Sequence, residues 1–297
     1  MDTLLLDGRD VPLGRYTTVR RLLPHKEIRT VGAWCFLDHF GPADITGTKG
    51  MDIGPHPHLG LQTVTWLLAG EIIHRDSVGS LQNIRPGRLN LMTAGAGIAH
   101  SEESLPLDDP ARPALQHGLQ LWVALPEGVR DTAPGFEHHE SLPVFADGTL
   151  RATVLLGDLA GVRSPARVHT PLVGAELTGA GTVPLEPAYE YAVLALDPSA
   201  TVDGEPLRPG ALLYLGQHRD RLDVSGPLFL IGGEPLEEDL LMWWNFVART
   251  HEEIVAARED WTAGRRFGTV HGYPGDRIPA PALPTTRLLP RHRNRTG

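Results

Sequence analysis

The chain has one cysteine, no long apolar run and no surplus of positive charge, and each shortage excludes a class of protein. Cys35 cannot form an intrachain disulfide, so the fold is not held by a disulfide framework. The longest apolar stretches, such as Thr63–Leu68, are strand-sized, well below the roughly 18 residues that a membrane helix needs. A formal net charge of −9 gives no electrostatic reason to expect nucleic acid or an anionic membrane as a partner. The opening MDTLLLDGRD has neither a basic region nor an apolar segment of signal-peptide type, and with the lone cysteine this points to a reducing cytoplasm.

The sequence is rich in turn formers. Its 33 glycines and 26 prolines among 297 residues are spread along the chain, which suits many short strands joined by turns. From Tyr16 to about Leu125 the runs RYTTVRRLL, GAWCFLDHF, LQTVTWLLAG, GRLNLMTAG and GLQLWVALP read as strands, with no helix-length periodic stretch between them. A polar break over 126–146 separates these from RATVLLG, AELTG, YAVLAL, ALLYLG and PLFLIGG. We therefore expect an all-β protein of two domains, 1–134 and 135–297. The second closes with one helix from about His251 to Trp261, which Thr250 and Glu253 would cap. The basic end of the chain, with Arg287, Arg291, Arg293 and Arg295, reads as an extended or solvated tail.

The strongest chemical signal is GPHPHLG. Residues i and i+2 of a strand project from one face, so His56 and His58 stand side by side while Pro57 points away. The same spacing returns in GIAHSEES with His100 and Glu102, and Glu103 faces the opposite way. Two such pairs on neighbouring strands can converge on one point. Three neutral imidazoles and one carboxylate suit a borderline divalent ion and leave positions open for chemistry. His74 and Asp76 also share a strand face, but they read as hairpin-fixing hydrogen bonders rather than a rival ligand pair. The glycines at 95 and 97 read as a tight turn delivering His100, since no helix pattern follows them. Gln120 is a candidate hydrogen bonder near the metal, and Phe36 and Phe40 are candidate apolar walls of a pocket. His138 and His139 fall in the polar break and read as solvated; His169 and His218 occur without an HxH, so the second domain reads as scaffold.

The segments GPHPHLGLQTVTWLLAGEIIHRDSVGS, PGRLNLMTAGAGIAHSE, HGLQLWVALP and IGGEPL resemble the pirin family of the cupin superfamily. The resemblance implies a bicupin, two antiparallel β-barrels face to face, with metal in the first only. It implies a three-histidine, one-glutamate site at His56, His58, His100 and Glu102. Gln62 stands where general cupins carry a glutamate after the HxH, a departure that matters little if Glu102 supplies the carboxylate. The implied cofactor is one divalent ion per chain, usually iron(II), with Ni, Mn, Co, Cu or Zn also compatible with the donors. The implied activity is dioxygenation of a flavonol such as quercetin, with O₂ as co-substrate. Glu102 would serve as a ligand throughout or as the base that accepts the substrate hydroxyl proton. The alternative is a metal-dependent redox sensor or a regulatory module that binds a protein partner.

Overall fold

A computed structural model describes residues 3–14 and 17–293; Tyr16 and Arg295, both part of the sequence reading, lie outside the described residues. Four of its sheets make two antiparallel barrels. The first barrel has a seven-stranded sheet in the order Gly135–His139, Leu89–Thr93, Leu61–Ala69, Leu115–Ala124, Trp34–Asp44, Thr17–Leu23 and Arg9–Leu13. Its second wall is a four-stranded sheet in the order Asp52–His58, Ile98–Ser104, Ile72–Asp76 and Leu81–Ile84. The second barrel repeats this plan with an eight-stranded and a four-stranded sheet. The described residues also form the hairpin Leu241–Trp243/Phe246–Ala248 and one α-helix, His251–Thr262. No helix among the described residues is long and apolar enough to cross a membrane.

Strand alternation decides what each face of the large sheets does. In the first barrel Val64, Trp66, Leu119, Leu121 and Val123 turn one way, and they share a buried apolar cluster with Leu156, Ala192, Leu194, Phe229 and Ile231 of the second. The two large sheets therefore pack face to face, and this is the main junction between the barrels. The alternate residues of the same strands belong to the first barrel's interior. One cross-strand row runs Asp38, Gln120, Thr65, Asn90, His138, and the next runs Phe36, Trp122, Thr63, Met92, Phe136. The first interior is thus rich in polar groups. The corresponding space in the second barrel is filled with apolar side chains, among them Leu150, Val154, Val173, Leu177, Val193, Leu215, Leu222 and Leu230. One architecture carries two different interiors.

Two directed contacts fix the junction. The Trp34 indole N–H donates to the carbonyls of Val173 at 3.1 Å and Gly232 at 3.2 Å. It lies so close that a Cβ at Gly174 would meet its ring at 2.8 Å, so only glycine fits there. Glu190 has no exposed surface, and it accepts from Gly32 N–H at 2.7 Å, the Tyr214 hydroxyl at 2.7 Å and Arg293 Nη1 at 2.8 Å.

Three expectations are corrected here. The sheets do not divide at residue 134: Leu4–Asp7 pairs with Ala211–Gly216 at the edge of the second barrel's sheet, while Gly135–His139 is an edge strand of the first. An edge strand needs only a complementary ladder and a partly apolar face, and neither property reveals which barrel it joins. His138 is half-buried rather than free in solvent, and its Nδ1 pairs with Asn90 Oδ1 at 2.7 Å. The basic tail is docked: Arg291 exchanges backbone hydrogen bonds with Leu240, Arg287 pairs with Glu252, and Arg293 reaches the buried Glu190. The helix starts where expected, with the Thr250 hydroxyl accepting from Glu253 N–H.

Candidate metal centre

The small sheet of the first barrel carries the candidate ligands. His56 pairs directly opposite His100, and His58 opposite Ile98, while a register shift between His100 and Glu102 sets Glu102 against Ile53. On the other edge of the same strand His100 lies opposite Asp76 and Glu102 opposite His74. Imidazole centroids are 5.0 Å apart for His56 and His58, 4.4 Å for His56 and His100, and 4.9 Å for His58 and His100. One nitrogen from each of these three rings lies within 4.8 Å of the others. Glu102 does not complete that set as a fourth close atom. Its carboxylate groups with His74 and His100 within the same limit, and it accepts from Thr65 Oγ1 at 3.4 Å. The two triads share His100.

The protonation chemistry of the cluster fits a cation. Burial, with a neighbouring imidazole adding to it, pulls His56 down to about 4, although the Gly54 carbonyl acts the other way. Burial and the adjacent rings hold His58 and His100 well below the ordinary histidine value. All three rings are therefore neutral near pH 7, each with one N–H and one lone pair. His56 donates its Nδ1–H to Gly54 O at 2.9 Å, which leaves the lone pair on Nε2. His58 Nδ1 and His100 Nε2 are buried without any hydrogen-bond partner. Orphaned buried nitrogens are costly unless a ligand takes the lone pair, and a divalent ion at the centre of the triangle would do so. Burial pushes the Glu102 carboxyl above its usual range, and nearby positive charge would restore its ionised form. The residues present fit a divalent metal.

The surroundings are aromatic on one side and polar on the other. Trp122 presents an edge to His58 at 5.1 Å and stacks on Phe36 at 3.9 Å, and the Arg21 guanidinium lies over Phe36 at 4.5 Å. Arg21 is itself held by Asp38 in a two-point pair at 2.9 and 2.8 Å. Phe136 stacks on His74 at 4.5 Å. Gln120 meets Thr65 at 2.9 Å, two hydrogen bonds from Glu102. Of the anticipated pocket residues, Phe36 and Gln120 are at the cluster. Phe40 is not: it packs with Val19, Met51, Ile53, Leu67 and Ile72 in a separate apolar cluster. Glu103 pairs with Arg75, away from the ligands, and Gln62 bonds Thr93 and the Arg167 carbonyl. Sequence reasoning passed over Thr65, Trp122 and Phe136. The alternation in LQTVTW, which sets both threonines on the face opposite Val64 and Trp66, was the available sign for Thr65.

The ligand candidates are only 1 to 7% exposed. Two cavities lie elsewhere. One of about 310 Å³ sits between the C-terminal segment and Arg29–Thr30, and one of about 840 Å³ is lined by Gly54, Glu103 and residues 273–279.

Comparison with known proteins places the chain. The family profile Pirin matches residues 16–123, and the profile of the pirin C-terminal cupin domain matches residues 174–268. A Pseudomonas aeruginosa protein provisionally named quercetin 2,3-dioxygenase is 46% identical over 286 residues, covering 93% of this chain and 89% of the relative. A pirin-like protein of Caulobacter vibrioides is 38% identical over 276 residues, covering 89% and 94%. Among solved structures, quercetin 2,3-dioxygenase from Acinetobacter baumannii superposes with a TM-score of 0.89 at 42% identity, covering 97% of this chain and 98% of that one.

Proposed function

The chain belongs to the pirin family, and from that premise we propose that it is a metal-dependent dioxygenase that opens flavonols such as quercetin with O₂. The observation that carries the reading is the triangle of His56, His58 and His100, three neutral buried rings of which two have an orphaned nitrogen. In this reading those three histidines and Glu102 hold one divalent ion. Iron(II) is the first candidate, with Ni, Mn, Co, Cu and Zn compatible with the same donors. Such an ion would supply Lewis acidity toward an electron-rich phenolic oxygen and, if redox-active, a route for electrons to O₂.

The chain's own residues supply the rest. Glu102, with its proton affinity raised by burial and one oxygen steadied by Thr65, is suited to accept the proton of a substrate hydroxyl. The single Thr65 hydroxyl proton is shared between Glu102 Oε1 at 3.4 Å and Gln120 Oε1 at 2.9 Å. Phe36 and Trp122, stacked on each other beside His58, form an apolar wall that excludes water from this side of the cluster. The relatives named quercetin 2,3-dioxygenase lend the substrate class.

One observation favours a second reading, a metal-dependent sensor or regulatory binding protein: the candidate ligands are 1 to 7% exposed, which leaves a bulky substrate little direct access. Oxygen uptake with quercetin by metal-loaded full-length protein separates the two. The enzyme reading expects O₂ consumption in proportion to flavonol loss, and loss of both in His56→Ala. Metal-loaded protein that consumes no O₂ with quercetin or a panel of related phenols would refute it.

A further inference from the structure

His74 and Asp76 lie outside the ligand set, yet they make an unbroken chain of contacts into it. Asp76 is anchored first: its Oδ1 accepts from the backbone N–H groups of Val78 at 3.0 Å and Ser80 at 2.8 Å, so the turn after the strand holds the carboxylate still. Its Oδ2 faces His74 Nε2 at 3.1 Å. The other nitrogen of His74, Nδ1, faces His100 Nδ1 at 3.4 Å, and Phe136 stacks flat on the His74 ring and fixes its plane. His74 and Asp76 are 2% and 3% exposed, so water does not compete for these partners.

With one proton on each ring, this chain allows two assignments. In the first, His74 carries its proton on Nε2 and donates to Asp76. Its Nδ1 then accepts from His100 Nδ1–H, and the His100 lone pair falls on Nε2. In the second, every proton moves over: Asp76 faces a lone pair, and His100 holds its proton on Nε2, the nitrogen that has no partner. An anchored carboxylate selects the first. We infer that Asp76 and His74 are positioning residues that set the tautomer of His100, so that its Nε2 lone pair is presented to the divalent ion. The inference rests on the reading that His100 is a metal ligand.

A competing assignment makes His74 itself a ligand, since His74, His100 and Glu102 also offer atoms within 4.8 Å of one another. Both of its nitrogens are already engaged, by Asp76 and by His100, and this disfavours ligation. Partners behind metal-binding histidines fix ring orientation and basicity, and their loss costs roughly 10- to 100-fold in metal affinity.

The test is titration of metal-free, full-length protein with Co(II), read as affinity by chelator competition and as the visible absorption spectrum of the bound ion. His74→Phe removes the acceptor for His100 Nδ1–H, and affinity should fall about 10- to 100-fold. Asp76→Asn keeps the packing while removing the charge that biases the chain, so it stays informative if His74→Phe does not fold. It should weaken binding about tenfold, at the lower end of that range. His74→Gln restores a carbonyl acceptor and should recover most of the affinity with the parent spectrum. Parent affinity within twofold in Asp76→Asn and in folded His74→Phe would overturn the inference. So would a His74→Gln variant as weak as His74→Phe with an altered spectrum, because that outcome makes His74 a ligand. His100→Ala serves as the separate control. Parent-like Co(II) binding in that variant would refute the metal-centre reading itself, whereas loss there combined with parent-like Asp76→Asn would refute the positioning role alone.

Discussion

Replacing Glu190 with glutamine tests how the two barrels are joined. The carboxylate is fully buried and serves three donors: Gly32 N–H from the first barrel through Oε1, and the Tyr214 hydroxyl and Arg293 Nη1 through Oε2. Glutamine keeps the shape and one acceptor oxygen, which can stay with Gly32. The new amide NH₂ then faces Tyr214 and Arg293. The tyrosine hydroxyl can rotate to accept from it, but the guanidinium cannot accept at all. Removing one member of a buried ion pair costs about 3–5 kcal/mol. The Arg293 side chain keeps 16% of its surface and can recover some hydration, so we take the low end, about 3 kcal/mol. For 297 residues, at about 2.1 cal/mol/K of unfolding entropy per residue, that lowers Tm by roughly 5 °C. Differential scanning calorimetry of the metal-free protein reads the effect, and metal content should be unchanged because no candidate ligand touches Glu190. A Tm within about 2 °C of the parent would refute the assignment of the junction to this carboxylate.

Two further outcomes follow from the site. Thr65→Val removes the hydroxyl whose one proton Glu102 and Gln120 share, at 3.4 and 2.9 Å; such a long, shared bond to a carboxylate contributes at most about 1 kcal/mol, so Co(II) affinity should fall by up to about fivefold, with Thr65→Ser near parent. Equal affinities in Val and Ser variants would show that the hydroxyl does not steady Glu102. The metal-free protein should also lose stability in mild acid. Burial, with the His117 ring and Arg20 assisting, brings His39 down to about 4, and burial brings His56 to the same value. Their folded values lie below the unfolded value of about 6.5, so the stability they carry is complete above that pH and is lost as pH falls towards 4. At pH 5 the unfolded chain binds about two more protons than the native one through these two residues, a slope of roughly 2 kcal/mol per pH unit. Thermal melts from pH 7 to pH 4.5 read this; a flat Tm across that range would contradict it.

The parts of the site that were legible in sequence are those with a local period. His56 and His58 announce themselves because i, i+2 spacing in a strand has one geometric meaning, and the same holds for the threonines of LQTVTW once the large sheet's two faces are known. The helix was legible because Thr250 and Glu253 are a local signal. What stayed hidden depends on pairing between distant segments. His74 opposes Glu102, and Asp76 opposes His100, only through a register that no property of IIHRD specifies. Likewise LLLD could have joined either barrel, and Arg293 found its buried partner about a hundred residues away along the chain. The register shift after His100 was equally hidden, and Glu102, which lies beyond it, groups with His74 and His100.

In the proposed reading the first barrel holds one divalent ion through His56, His58, His100 and Glu102. Elemental analysis of anaerobically purified protein, run beside the His100→Ala variant, measures it directly. About one divalent metal per parent chain is expected, and little in the variant. A metal-free parent that takes up no Fe(II) or Co(II), or a variant that retains the parent's metal, would contradict it.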